Sequence, residues 1–255
     1  MATSEEKQKV RELAQQGKSV NQIKDQLELP KSTVYYHFKK EVGQKQKTNQ
    51  PEIPDDPEFK GELCGIFAGD GNYQKDNDYH HQVRFFFNLN DRYYEILTDY
   101  LENKLNKRPN IYTIEDKTRA TLKYNSKKLY KLLKHNLDWE ENKSLSIRLV
   151  KEKNFSEEFK IGFLRGLIDT DGYINPNQRE LRFNSISEKL MTDVSGILSE
   201  LNINHNKYST EDKRENCKDM HRVAAYSSSA EKLIRKIEPR HPKKQLADRW
   251  SNIGN

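Results

Sequence analysis

Two aspartates, Asp70 and Asp171, offer the clearest chemistry in this sequence. Each lies next to last in a mostly apolar nine-residue run, Leu63–Gly71 or Leu164–Gly172, and the two runs align without a gap at a separation of 101 residues. Such runs predict helices with a carboxylate in the last turn, where negative charge opposes the helix dipole. The final glycine is predicted to cap each helix in the left-handed conformation. Two adjacent carboxylates also repel each other, and a divalent cation would offset both penalties and create a centre for phosphodiester hydrolysis.

Small residues inside the two runs indicate how the helices pack. Gly65 and Gly166 fall mid-helix, where glycine costs roughly 1 kcal/mol relative to alanine. That cost is tolerated where two backbones must approach closely. Gly69 and Thr170 lie four residues further on, over the same face. We therefore predict that the two helices pack against each other as a seam and bring the two aspartates side by side.

The runs belong to an internal repeat. Each is followed by a strand (Gln82–Asn90 and Glu180–Ser187), a helix (Tyr93–Leu105 and Lys189–Leu201), a hairpin that returns through Arg119–Tyr124 or spans about Lys207–Tyr226, and another helix (Ser126–Lys134 and Ser229–Ile237). Alternating apolar and polar residues predict the strands. Each half is thus expected to be α-β-β-α-β-β-α, an α+β architecture with antiparallel sheets.

Residues 5–41 predict three short helices ahead of the repeat. Ser19 and Gln22 form a capping box at the second helix, and a tight turn near Pro30 leads into the third. Two short helices joined by a tight turn and packed on a first one resemble a helix-turn-helix, whose last helix would face DNA. The candidate DNA contacts on it are Lys31, Ser32, Thr33, Tyr35, Tyr36 and Lys39. A three-helix bundle with another task is the alternative.

Charge and composition support this division of the chain. The net charge of +6 divides into +4 over residues 1–50, from ten Lys and Arg against six Asp and Glu, and +2 over the rest. A basic excess suits a polyanion, although charge alone leaves a merely soluble surface equally open. Residues 43–57, rich in Gln, Lys, Asn and Pro, predict a flexible linker. The expected domains are therefore 1–42, 43–57, 58–153 and 154–255.

Other classes of protein are disfavoured. No stretch approaches the ~20 apolar residues of a membrane span, and the N-terminus lacks the apolar core of a signal peptide, so we expect a cytoplasmic protein. Cys64 and Cys217 form neither a disulfide framework nor a pair with metal-ligand spacing. His80 and His81 are adjacent but lack a third ligand at a suitable spacing, so we interpret them as surface or DNA-contacting residues.

The nine-residue runs resemble the motif that gives the LAGLIDADG family of homing endonucleases its name. Leu164–Gly172 matches it closely, and Leu63–Gly71 more loosely, with Ala68 where the motif has its first Asp. The resemblance covers about residues 57–253. It implies a monomer of two pseudosymmetric αββαββα halves whose saddle-shaped sheets lie along the DNA major groove.

The resemblance also implies roles for individual residues. It makes Asp70 and Asp171 the metal-binding catalytic acids, with Mg²⁺ or Mn²⁺ as the cofactor, and gives Asp169 a structural place at the interface. Lysines near each acid are the assisting groups: Lys243 or Lys244 in the second half, and Lys143 in the first, with Lys123 on the sheet as a rival. Gly69 and Thr170, which precede the acids, are counted as further metal ligands. The sheet residues expected to touch bases or phosphates are Arg84, Asn88, Asn90, Arg119, Arg182 and Asn184.

These observations leave three hypotheses. The first is an intron-encoded, site-specific endonuclease that leaves a staggered break in double-stranded DNA. The second is a non-cleaving transcriptional regulator on the same fold, and the third is an intron RNA maturase. Both acids are present, and a regulator has little reason to hold two carboxylates against helix dipoles, so the sequence favours the nuclease.

Overall fold

The chain forms two compact units, residues 1–50 and 51–255. The computed structural model describes residues 3–42, 50–77, 80–211 and 218–245. Part of the predicted linker (43–49), the long polar turn of the second hairpin (212–217) and Cys217 lie outside the described residues. Within the described ranges, no helix is long and apolar enough to cross a membrane.

The N-terminal unit contains the three predicted helices, α1 (Ser4–Gln15), α2 (Val20–Leu27) and α3 (Lys31–Val42). The predicted capping box is present: Ser19 accepts a hydrogen bond from the backbone of Gln22, whose side chain accepts one from the backbone of Ser19. Val10, Ile23 and Val34 are fully buried in a small core between the helices. Helix capping and a compact apolar core thus account for this fold.

The second unit consists of two similar halves. The first contains α4 (Pro57–Asp70), β1 (Gly71–Asn77), β2 (His80–Asn88), α5 (Tyr93–Leu105), β3 (Asn110–Ile114), β4 (Arg119–Asn125) and α6 (Lys127–Asn136). A connection follows with β5 (Leu137–Asp138), α7 (Lys143–Ser146) and β6 (Arg148–Leu149). The second half contains α8 (Glu157–Asp171), β7 (Tyr173–Asn175), β8 (Glu180–Ser185), α9 (Glu188–Glu200), β9 (Asn206–Thr210), β10 (Met220–Tyr226) and α10 (Ser227–Ile237). A 3-10 turn at Pro242–Lys244 comes after α10.

Each half contributes one antiparallel sheet, with strand order β1-β2-β4-β3 or β7-β8-β10-β9. Along β2, Val83 and Phe85 are fully buried while Arg84 and Phe86 are half-buried, because successive side chains point to opposite faces. The helices cover the buried faces, and one continuous apolar core runs through both halves. The predicted α+β fold with two αββαββα halves is confirmed. Strands β1 and β7 were not located from the sequence.

The described end of the predicted linker lies on the second unit. Pro51 is buried and Ile53 packs on the core. The backbone N–H of Glu52 donates a hydrogen bond of 2.8 Å to the carbonyl of Leu105. Residues 51–56 are therefore attached to the core rather than free.

The helices α4 and α8 form the predicted seam. A Cβ atom on Gly65 would lie 2.1 Å from the carbonyl oxygen of Phe163, and one on Gly166 would lie 2.1 Å from that of Glu62. Real Cβ atoms do not come so near a backbone, so the two helices can touch only where these positions are glycine. Two further glycines, Gly61 and Gly162, lie before the nine-residue runs and extend the same contact.

The predicted left-handed caps at Gly71 and Gly172 are wrong. Their φ angles are −87° and −80°, in the extended region, and the chain passes directly into β1 and β7. Glycine is needed there for space: an added Cβ would lie 2.5 Å from Cα of Phe67 or 2.6 Å from Cα of Ile168. Each acid is thus held where a helix turns sharply into a strand.

Candidate active site

The two aspartates lie at matching ends of the seam helices. Asp70 is the last residue of α4, and Asp171 is the last residue of α8. The Oδ2 atom of Asp171 lies 3.2 Å from the point that a Cβ on Gly69 would occupy, so this carboxylate reaches the backbone of the opposite helix. Asp70 is half-buried and Asp171 is exposed.

Protein atoms crowd both carboxyl groups and disfavour their charged forms. Burial and, next, the negative charge of Asp171 raise the pKa of Asp70 to about 7, whereas Lys143 and Lys244 oppose the shift. Burial also raises the pKa of Asp171, again opposed by the two lysines. Although Asp171 keeps an exposed surface, the concave site surrounds it closely enough for desolvation to dominate. The pair therefore resists carrying two negative charges by itself.

A lysine binds the end of each seam helix. The Nζ atom of Lys143 donates to three last-turn carbonyls of α4, those of Phe67 (2.7 Å), Ala68 (2.9 Å) and Gly69 (3.2 Å). The Nζ atom of Lys244 does the same for α8, at Ile168 (2.6 Å), Asp169 (3.0 Å) and Thr170 (3.2 Å). The carbonyls of Phe67 and Ile168 also accept the N–H groups of the capping residues Gly71 and Gly172, whereas the later ones lie beyond the last hydrogen bond of their helix. Each ammonium group thus satisfies a helix end and brings a positive charge to the acids.

The two lysines are equivalent in the repeat. Lys244 follows Lys143 by 101 residues, the same separation as the two aspartates. Burial lowers the pKa of Lys143 to about 8, against the opposing effects of Asp171 and Asp70. Burial likewise lowers the pKa of Lys244. Both side chains are therefore placed to stabilise negative charge near the acids.

The two rival lysines lie elsewhere. The Nζ atom of Lys243 is 3.0 Å from a carboxylate oxygen of Asp91. The Nζ atom of Lys123 lies 4.5 Å from the ring centre of Tyr112 on the neighbouring strand. The structure therefore brings Lys143 and Lys244 to the acids and leaves Lys243 and Lys123 outside the cluster.

The donor atoms around the acids suit a hard divalent cation. Asp70 and Asp171 supply carboxylate oxygens, and Gly69 and Thr170 precede them in the last helical turns. Mg²⁺ prefers oxygen ligands and usually keeps several waters. Among the described residues, no group of three or more His, Cys, Asp and Glu side chains could hold a metal. A cation here would therefore rest on two carboxylates and complete its ligands with backbone, phosphate or water oxygens.

A buried polar network holds the loop that carries Lys244. The carboxylate of Asp169 accepts hydrogen bonds from the backbone N–H groups of Arg240 (3.0 Å) and His241 (3.1 Å). The side chain of Arg240 donates to Glu62, which lies on α4 and is fully buried. Asp169 thus has the structural role that the resemblance implied. No local pattern singles out Glu62, because its partners Arg165 and Arg240 lie 103 and 178 positions away.

Aromatic packing holds the loop that carries Lys143. Trp139 packs at 5.1 Å from the ring of Phe67, and Lys134 lies 4.0 Å from the Trp139 ring centre. Tyr130 contacts the edge of the same indole, at 6.5 Å between ring centres. Apolar and cation–π contacts therefore fix the start of the first-half loop. Its end is held by Asp193, which accepts hydrogen bonds from the Arg148 side chain and the Leu149 backbone.

A cavity borders each acid. The one beside Asp70 has a volume of about 790 Å³, and Phe86, Trp139 and Lys143 are among its lining residues. The one beside Asp171 has a volume of about 260 Å³ and is lined also by Asn184 and Ser144. The acids are thus accessible from concave surfaces that differ in size and in chemistry.

The predicted sheet contacts are spread over both sheets. Arg84, Arg119, Arg182 and Asn184 are half-buried on β2, β4 and β8. Arg119 lies over the ring of Phe86, and Arg182 lies over that of Tyr173. Asn88 and Asn90 are exposed at the end of β2, where the Asn88 side chain accepts a hydrogen bond from the backbone of Asn90. These side chains provide guanidinium and amide groups of the kind that contact nucleic acid.

The prediction for His81 is wrong, because its side chain is buried. Its ring stacks on Tyr130, with 5.0 Å between ring centres, and its Nδ1 atom is 2.8 Å from the hydroxyl of Tyr73. The side chain of its neighbour His80 lies outside the described residues. An apolar environment of aromatic rings thus removes His81 from any surface role.

In the N-terminal unit, α3 presents most of the predicted DNA contacts to solvent. Lys31, Ser32, Tyr35, Tyr36 and Lys39 are exposed, and Thr33 is half-buried. Tyr36 is 56% exposed, which is unusual for a large aromatic side chain. No ion pair neutralises Lys31 or Lys39 among the described residues. His37, which follows Tyr36, faces inward and is buried.

Comparisons with known proteins agree with this architecture. Fold and site define a two-repeat α+β protein with paired acids where the repeats meet. Residues 158–238, in the second half of the chain, match the family model of the LAGLIDADG-like domain.

One similar protein is MJ0398 of Methanocaldococcus jannaschii, 26% identical over 183 residues, which are 66% of this chain and 60% of that protein. The match thus spans less than two thirds of that relative. A solved structure of I-DmoI in complex with DNA and Ca is similar with a TM-score of 0.53 and 21% identity, covering 76% of this chain and 98% of that one. The structure of a variant of the homing endonuclease I-DmoI with its target DNA and 2 mM Mg is similar with a TM-score of 0.51 and 21% identity. The match covers 72% of this chain and 98% of that one. At this identity the likeness shows the fold.

Proposed function

We propose that this protein is a divalent-metal-dependent, site-specific endonuclease that makes a staggered cut in double-stranded DNA. The observation that carries the proposal is the symmetric pair of Asp–Lys sites, Asp70 with Lys143 and Asp171 with Lys244, at the ends of the two seam helices. A DNA-binding protein that does not cut has no need for two crowded carboxylates that repel each other. The I-DmoI complexes with DNA, Ca and Mg support the choice of substrate and cofactor.

The arrangement suits hydrolysis of one phosphodiester at each acid. A bound Mg²⁺ or Mn²⁺ would lower the pKa of water and polarise the phosphate. Asp70 and Asp171, with the adjoining backbone of Gly69 and Thr170, would hold the cation. In each step a water oxygen bonds to phosphorus, one phosphorus–oxygen bond to the sugar breaks, the water gives up a proton, and the sugar oxygen takes one. Lys143 and Lys244 stabilise the charge that develops on the phosphate.

The remaining predicted contacts would bind the duplex. Arg84, Arg119, Arg182, Asn88, Asn90 and Asn184 belong to the two sheets, and each sheet would follow the major groove of one half-site as part of a monomer. The exposed face of α3 would add phosphate contacts. In this proposal the helix-turn-helix domain is 1–42, and the two repeats are the domains 58–153 and 154–255. Tethering two binding units raises the effective concentration of the second once the first is bound.

The test is a cleavage assay on a supercoiled plasmid. Its insert joins the two chromosomal sequences that flank the gene, with the gene itself left out. A randomised plasmid library is a second source of target. We expect linear product with Mg²⁺ or Mn²⁺ and none with a chelator. Asp171→Asn and Asp70→Asn should each reduce cleavage at least 10²-fold while binding persists. Tight binding without cutting, across metals and the library, would support the regulator instead, and preferential binding to intron RNA would support the maturase.

A further inference from the structure

The helix that follows the second strand of each half begins beside the lysine loop of the other half. Asp91, two residues before α5 of the first half, contacts the loop that carries Lys244. Ser187, directly before α9 of the second half, contacts the loop that carries Lys143. Each lysine loop is thus attached to a helix start that belongs to the opposite half.

In the second site, His241 forms the link between the halves. Its Nε2 atom lies 3.2 Å from Oδ2 of Asp91, and its Nδ1 atom accepts a hydrogen bond of 3.2 Å from the backbone N–H of Lys243. Since Nδ1 accepts, the proton of the neutral ring lies on Nε2 and is donated to Asp91. The ring also packs on Tyr93 of α5, with 4.9 Å between ring centres. The carbonyl of His241 accepts the backbone N–H of Lys244 at 2.8 Å, so the ring fixes the turn from which that lysine projects.

The charges of this link fit an orienting role. Burial lowers the pKa of His241, and the positive charge of Lys244 lowers it too, so the ring is neutral at neutral pH. Burial would raise the pKa of Asp91, but the hydrogen bond from Lys243 and the neighbouring His241 ring hold it below its ordinary value. A carboxylate therefore orients a neutral imidazole, and no further positive charge is placed beside Lys244.

In the first site, a buried hydroxyl makes the equivalent connection. The Oγ atom of Ser187 donates a hydrogen bond of 2.7 Å to the carbonyl of Ile147, and it accepts one of 3.2 Å from the backbone N–H of Leu190 in α9. The backbone N–H of Ile147 in turn donates to the carbonyl of Lys143 at 2.9 Å. Ser187 is fully buried. The turn that carries Lys143 is therefore tied to the start of α9.

A sequence difference increases the importance of this connection in the first half. The loop of Lys244 is also anchored to its own seam helix by Asp169, whereas the residue 101 positions earlier is Ala68, which has no group to accept the loop N–H groups. The N–H of Glu140 in the first-half loop donates to the hydroxyl of Ser146 in the same loop, at 2.9 Å. More of the positioning of this loop therefore falls to α9.

We propose that each half positions the lysine of the other, with Asp91 holding Lys244 through His241, and Ser187 holding Lys143 through the turn at 143–147. Asp91, His241 and Ser187 are positioning residues, because they act through the lysines. A misplacement of about 1 Å can remove much of the effect that such a group has on a reaction. The consequence for cutting rests on the proposed nuclease function, whereas the placement of the lysines can be measured without it.

The first experiment measures how accessible each lysine is to chemical modification. The full chain without DNA is treated with limiting acetic anhydride, and the acetylation rate of each lysine is followed by mass spectrometry. Asp91→Ala should raise the rate at Lys244 about tenfold and leave that at Lys143 unchanged, and Ser187→Ala should do the reverse, since the rate follows local opening of each loop. Asp99→Ala is the matched control: it removes an exposed partner of Arg108 from the same helix as Asp91, and we expect no change at either lysine.

The second experiment measures the cutting of each strand. A target duplex from the cleavage assay is labelled at one end of either strand and mixed with saturating protein. Asp91→Ala should slow one strand about tenfold and Ser187→Ala the other, with DNA affinity unchanged. The conservative variants Asp91→Asn, which still accepts the proton of His241, and Ser187→Thr, which keeps the hydroxyl, should restore most of each rate. A merely structural role would slow both strands together.

The outcomes separate the two proposals. The inference would be overturned if a variant that melts like the wild type loosened the lysine of its own half, or both lysines equally. Crossed effects on acetylation without any cutting by the wild type would support the positioning and overturn the nuclease. If Ser187→Ala does not fold, Ser187→Gly makes the same test, because glycine also lacks the hydroxyl and is tolerated at the start of a helix.

Discussion

The two loops that carry the catalytic lysine candidates are supported by different contacts. The loop of Lys244 is held by buried ions and hydrogen bonds among Glu62, Asp169 and Arg240. The loop of Lys143 is held by Trp139 against aromatic neighbours. Yet both ammonium groups reach the same three carbonyls of their helices. The groups at the reaction centre are thus placed by symmetry, while the structure behind them differs between the halves.

Both halves share the seam between α4 and α8. Disrupting it should therefore lower the free energy of unfolding more than any other change, and by the same amount from either helix. Gly65→Ala and Gly166→Ala each place a Cβ 2.1 Å from a backbone oxygen of the other helix. Because neither backbone can move without disturbing the core, we expect a loss of about 3 kcal/mol or more in the free energy of unfolding, measured by urea denaturation. Gly196→Ala is the control: open space surrounds that helical position, and we expect a gain of about 0.5–1 kcal/mol. A small loss at either seam glycine would show that the helices can move apart.

The buried polar network joins Glu62 of the first half to the second half and has no counterpart related by the repeat, so its disruption tests the asymmetry. Glu62→Gln removes the charge that pairs with Arg165 and Arg240 inside the protein. We expect a loss of about 2–4 kcal/mol in the free energy of unfolding, since Arg240 loses its carboxylate partner and Arg165 keeps only Glu58. The equivalent position in the other half is Phe163, where Phe163→Leu should cost less, about 1 kcal/mol. Comparable effects at the two positions would mean that the network contributes no more than ordinary packing.

The charge of Asp70 gives a smaller, pH-dependent effect. Its pKa is raised to about 7 in the folded protein, so the folded state binds the proton more tightly than the unfolded state. The free energy of unfolding therefore falls as pH rises from about 4 to 7. In the presence of a chelator, Asp70→Asn should be more stable than the wild type by about 1–3 kcal/mol above pH 7, with the gap closing towards pH 4. Thermal melting of both proteins from pH 5 to 8.5 measures this difference in stability. A difference that does not change with pH would refute this account.

Much of the fold was predictable because its signals are local or repeated. Apolar periodicity located α5 at Tyr93–Leu105 without error, and the nine-residue runs gave the seam and the acids. The separation of 101 residues also distinguishes the two lysines of the second half: applied to Lys143, it selects Lys244 over Lys243. Repeats are informative because one backbone solution places two sets of residues.

The rest depended on contacts that no local pattern encodes. The strand β1 is polar, with Asn72, Gln74 and Lys75 along it, so alternation was invisible there. The conformation of Gly71 follows from a steric limit against Phe67 and was mistaken for a left-handed cap. His81 is buried because of rings that lie 8 and 49 positions away in the chain. Long-range packing of this kind overrides the ordinary reading of a polar residue.

The buried position of Glu62 also bears on how the molecule can assemble. In a homodimer of two first halves, Glu62 would meet Cys64, the residue 101 positions before Arg165, and Trp139 would stand in place of Arg240. In a homodimer of two second halves, Arg165 would face Phe163. Either exchange leaves a charge buried without its counter-ion. The two repeats are therefore no longer interchangeable subunits, and each is specific for the other.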